Sequence, residues 1–70
     1  MKVSFSEIFD VVDGMINPKV PVTYRGTGLN PGQSFSIGET VLGVNFSNYI
    51  DKYFEVNKED GIYHIQSFYE

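Results

Sequence analysis

The twenty residues from Asp51 to Glu70, DKYFEVNKEDGIYHIQSFYE, constrain the fold more than any other stretch of the chain. Two apolar-rich runs, Tyr53–Val56 and Ile62–Ile65, flank the polar segment Asn57-Lys58-Glu59-Asp60-Gly61. That segment ends in Asp-Gly, the dipeptide that most readily takes the positive φ of a tight hairpin turn. The stretch therefore predicts two antiparallel strands, the first beginning near Lys52. It predicts no chemistry.

A chain of 70 residues holds a single domain, 1–70, and folding at this size buries only about 60% of the surface of the unfolded chain. There is no cysteine, so neither a disulfide nor a thiolate zinc site supplements the core. Packing must supply the stability, and six Phe and five Tyr offer large areas to bury. A homodimer is the other route to stability for so small a domain. Hydrophobic content of 41% against 20% charged residues places the chain among folded proteins rather than disordered ones.

The net charge is −4, and the five basic residues are scattered singly at 2, 19, 25, 52 and 58. Phosphate recognition draws on clustered Lys and Arg, so no direct nucleic-acid binding is expected. The sequence shows no secretory leader, no long apolar run and no basic amphipathic face, which predicts a cytoplasmic protein with no membrane partner.

Residues 4–16 carry a helical pattern. Phe5, Ile8, Phe9, Val12, Met15 and Ile16 recur at the spacing of one helical face. Ser4 and Glu7 stand at capping-box spacing, with Val3 and Ile8 placed as a hydrophobic staple. Gly14 and Pro18 end the pattern. Glu7, Asp10 and Asp13 fall on the opposite face and form an acidic stripe suited to steering approach to a basic partner surface.

A β region is expected over 20–70. Lys19–Arg25 alternates as a strand that Pro21 confines to an edge or to its own first residues. Gly26–Gln33 reads as a loop. Ser34–Ile37 and Thr40–Val44 flank a turn at Gly38-Glu39, and Asn45–Asp51 reads as a loop with one helical turn. The fold class expected is α+β: an N-terminal amphipathic helix packed on a small antiparallel β-sheet or Src-homology-3-like barrel.

The barrel alternative comes from a resemblance. Phe35-Ser36-Ile37-Gly38-Glu39-Thr40-Val41-Leu42 resembles the approach to the second strand of a Src-homology-3-like small barrel. Asp51-Lys52-Tyr53-Phe54-Glu55-Val56 resembles its third strand, Asp60-Gly61 its distal turn, and Tyr63 to Glu70 its closing turn and strand. The pattern is also similar to small barrel proteins of phage and Firmicute genomes. The resemblance implies a protein-binding role. The departures bear on the ligand: Val22-Thr23-Tyr24 and Tyr53-Phe54 replace the aromatic walls that grip Pro-rich peptides.

No constellation of residues amounts to an active site, so no enzyme, cofactor or metal is expected. His64 is the only histidine; a general acid–base role needs an orienting partner and a nucleophile, and Ser67, three residues away, has no pattern around it. Glu59-Asp60 reads as a charged hairpin tip. Tyr is enriched at protein interfaces. The residues expected to bind a partner protein are therefore Glu7, Asp10, Asp13, Tyr49, Tyr53, Tyr63 and Tyr69. Two functions fit: a small acidic protein-binding module, an adaptor or inhibitor of phage or mobile-element type, or an acidic nucleic-acid mimic of the anti-CRISPR or anti-restriction kind.

Overall fold

The computed structural model describes residues 1–69. Its grammar is the two-residue turn. Asp13-Gly14, Arg25-Gly26, Leu42-Gly43 and Asp60-Gly61 each combine a residue at φ 51–53° with a glycine at 75–80°. Two successive positive φ values define the type I′ turn, whose twist matches the right-handed twist of paired strands. Each of the four therefore closes a hairpin.

The elements run in chain order as strand β1 (Lys2–Ser4), a four-residue helical turn (Phe5–Ile8), then the hairpin β2 (Phe9–Val12) and β3 (Met15–Pro18). Next come the hairpin β4 (Val22–Tyr24) and β5 (Thr27–Leu29), β6 (Phe35–Ser36), and the small hairpin β7 (Thr40–Val41) and β8 (Val44–Asn45). A 3₁₀ turn (Phe46–Tyr49) leads to the long hairpin β9 (Tyr53–Glu59) and β10 (Ile62–Phe68). The Asn45 side chain caps the 3₁₀ turn by accepting from the Ser47 amide at 3.1 Å.

The expected α+β fold with an amphipathic helix over 4–16 is not what forms. The helix stops after one turn, Phe9 is already extended (φ −132°, ψ 152°), and the remainder is the β2–β3 hairpin. Both readings bury Phe5, Ile8, Phe9 and Ile16, so the apolar spacing alone cannot separate them. What decides is Val11-Val12 followed by Asp13-Gly14: β-branched residues favour strands, and Asp-Gly favours the turn over the last helical turn. The expected capping box forms on this single turn, with the Glu7 carboxylate accepting from the Ser4 amide at 2.7 Å.

The expected long hairpin is present, with a shorter turn: Asn57-Lys58-Glu59 continue the strand, leaving only Asp60-Gly61 to reverse it. The expected loop Gly26–Gln33 contains β5, and Gln33 then closes a turn onto the Asn30 carbonyl at 3.0 Å. The main sheet has the order β1-β9-β10-β4-β5 and is mixed rather than antiparallel, because β10 pairs with β4 in parallel (His64 beside Thr23). A second sheet, β2-β3-β6, and the β7–β8 pair complete the molecule.

The core lies between the sheets. Phe46 is 0% exposed, with the rings of Phe9, Tyr24, Phe35, Phe54 and Phe68 at 5.7–6.4 Å between centroids. Among the described residues no polar or charged side chain is buried. None of the helices there is long and apolar enough to cross a membrane.

Candidate functional site

The residues expected to bind a partner are dispersed by this fold. Glu7 is occupied in capping Ser4, Asp10 projects from β2 opposite Asn17, and Asp13 sits in a turn. They share no helical face, so the acidic stripe does not exist. Tyr49 stacks on Phe68 (4.6 Å between centroids, 24°) and belongs to the core margin. Tyr63 is half-buried against the core, with the Lys58 ammonium 5.0 Å from its ring centre.

Tyr53 and Tyr69 remain exposed and come together around Lys2, whose ammonium lies 4.8 Å from each ring. Tyr69 donates its hydroxyl to Glu55 at 2.5 Å, and the Met1 ammonium reaches the same carboxylate at 2.7 Å. The Met1 ammonium first, then the Tyr69 hydroxyl, hold the Glu55 carboxyl below its ordinary range. The Glu55 carboxylate in turn pushes the Tyr69 phenol up. These contacts tie β1 to β9 and give the Tyr pair a structural use.

His64 lies on the outer face of the main sheet, level with Asn57 on one side and Thr23 on the other. Its Nδ1 is 2.6 Å from the Thr23 hydroxyl. With Arg25, Glu59 and Gln66 these residues line a shallow polar concavity of about 550 Å³. The hydrogen bond orients the imidazole, and Glu59 is the carboxylate that shares the concavity with it. Among the described residues no three His, Asp or Glu side chains gather as a metal-binding group.

The feature that stands out is the free edge of β2. A two-residue hairpin makes Val12 and Met15 a pair that exchange both backbone hydrogen bonds. Alternation then makes Asp10–Asn17 the next such pair, and directs the backbone groups of Phe9 and Val11 away from β3. Pro18, which has no N–H, stands opposite Phe9, where no donor is required. The Phe9 amide is spent on the Phe5 carbonyl. The Phe9 carbonyl and both backbone groups of Val11 are left facing outward.

Folded proteins blunt such edges with Lys, Pro or very short strands. β1 carries Lys2 on its open edge and has its Ser4 amide covered by Glu7. β5 is three residues with glycine at its centre. β2 has four residues and neither Lys nor Pro, with Val11 and Val12 exposed at 42% and 53%. Beside it runs a groove of about 340 Å³, lined by Phe9, Asp10 and Val11 on the β2 side and by Ile50, Asp51, Lys52 and Tyr53 opposite.

Comparison with protein-family models, with curated proteins and with solved structures returns no match to this chain. The site is therefore read from its own geometry. Residue chemistry alone missed it, because its working groups are the backbone of Phe9 and Val11. The sequence signal was the Asp13-Gly14 turn preceded by an apolar run without Lys or Pro.

Proposed function

We propose that the protein is a binding module that takes an extended segment of another protein onto the free edge of β2, as an adaptor or by occluding that segment. Strand addition draws its affinity from main-chain hydrogen bonds and its selectivity from pockets for alternate side chains. The observation that carries this reading is the unguarded pair of backbone groups on Val11, set beside a groove of mixed polar and apolar lining. Catalysis is not part of this proposal, in which the Thr23 hydroxyl holds the His64 imidazole in place on the sheet. The nucleic-acid mimic has no comparable support, because Glu7, Asp10 and Asp13 form no row.

The test is Val11→Pro. It removes the outward donor at a position whose N–H bonds to nothing within the sheet, so the fold is expected to survive. Partners retained from the source-cell extract by immobilised wild type are expected to be lost from the variant, with circular dichroism and Tm unchanged. Equal retention by the two proteins would refute the reading.

A further inference from the structure

We infer that the segment accepted by β2 alternates Lys or Arg with apolar residues; this rests on the edge-pairing reading above and names its partner class. Residues along β2 alternate between two surroundings. Strand alternation puts Phe9 and Val11 on one face of β2 and Asp10 and Val12 on the other, beside Asn17 and Met15, with Asp10 also bordering the groove. A strand laid along the edge must copy that alternation, because side chains of paired strands share faces residue by residue. Its groove-side positions meet the exposed Val11 together with Ile50 and Tyr53, which offer apolar surface to aliphatic side chains between the charged Asp51 and Lys52.

Its outward positions meet the Asp10 carboxylate and the exposed Val12. A lysine or arginine fits both at once, covering the valine with its methylene stem and bringing its charge to the aspartate. Two lysines border the region without cancelling this preference. Lys52 lies on the groove's far wall, and Lys19 donates to the Ser6 carbonyl at 2.9 Å, so that Asn17, not a cation, stands opposite Asp10.

A second copy of this chain is the competing occupant, and the charges oppose it. The outward groups are at Phe9 and Val11, so self-pairing must set Val11 against its copy or against the copy's Phe9. In the second register Asp10 stands directly opposite its own copy. In the first the two are diagonal neighbours about 7–8 Å apart on one face. Either arrangement adds like-charge repulsion between chains that each carry a net −4.

The experiment uses the full chain, ¹⁵N-labelled, titrated with blocked heptapeptides that alternate Lys with Val or Glu with Val. A third peptide is the Lys/Val sequence with alternate backbone nitrogens methylated. The Lys/Val peptide is expected to shift the Val11 amide and slow its hydrogen exchange. At low salt it should bind about tenfold tighter than Glu/Val, and this gap should shrink as salt rises. Backbone methylation should abolish binding, and Asp10→Asn, at an exposed position, should narrow the gap without disturbing the fold. If Glu/Val binds equally well at Val11, the charge inference falls and the edge reading stands. If no peptide moves the Val11 amide, both fall. A Val11 shift that follows protein concentration with no peptide present would hand the edge to a second copy and overturn the inference.

Discussion

Phe46 has no solvent exposure and five aromatic neighbours, so truncating it opens a cavity in the middle of the aromatic core. Phe46→Ala is expected to cost about 3–5 kcal/mol, a large share of what a domain of this size holds. Urea denaturation checks it against Tyr53→Ala, whose exposed ring should matter by about 0.5 kcal/mol or less. Glu55 makes the molecule sensitive to acid. Its carboxyl is held below the ordinary 4.5, so the folded state binds fewer protons than the unfolded one in that range. The resulting stability is present above 4.5 and is lost as the pH falls through the lower folded value. Glu55→Gln should flatten the acid limb of a Tm-versus-pH curve, and Tyr69→Phe should flatten it in part. At the alkaline end the sign reverses: Tyr69 is raised above 10.0, so the stability it lends is present below that value and fades above it.

The type I′ hairpin is the repeated element, and glycine is what it demands. Gly14 has φ 75° with nothing near the position of a Cβ, so Gly14→Ala meets only backbone strain and should cost about 1–2 kcal/mol. Gly28 has no positive φ, and an added Cβ would meet the movable Asn30 amide at 3.1 Å. Gly28→Ala should therefore change stability by about 0.5 kcal/mol or less, because the lost chain entropy of the unfolded state offsets the tight contact. Thermal unfolding of the two variants side by side checks the contrast. The same element explains what was legible in the sequence. Asp60-Gly61 lies between strand-like runs with no competing pattern, and it was readable with its strands. Asp13-Gly14 carries the same signal, but Phe5, Ile8, Phe9, Val12 and Ile16 also satisfy a helical period, and the longer pattern masked the turn. Arg25-Gly26 and Leu42-Gly43 were hidden differently, since Arg and Leu rarely adopt a positive φ and do not announce a turn. The candidate site followed the misread hairpin. The sequence points to Asp10 only as part of a helical stripe, and the backbone of Val11 is chemistry that residue types do not display.

Across the whole molecule, strands distant in sequence are neighbours: Val3 pairs with Phe54, and Val22 lies beside Tyr63. Far-UV circular dichroism should accordingly lack the paired minima of an α-helix, which would reappear had residues 4–16 formed one. Refolding after stopped-flow dilution should take milliseconds to seconds rather than microseconds, because these closures cost loop entropy before contacts repay it. The order β1-β9-β10-β4-β5 sets the two strands made last between all those made first. A ribosome translating this message has delivered β1, β4 and β5 before either of the strands they flank exists. Nascent chains arrested with residues up to 52 exposed should therefore be open to protease along their length, and protection should arrive only once residue 68 has cleared the exit tunnel. Until then β1 has no partner and β4 is paired only with β5, which makes this interval, more than the finished protein, the time when a chaperone has most to hold.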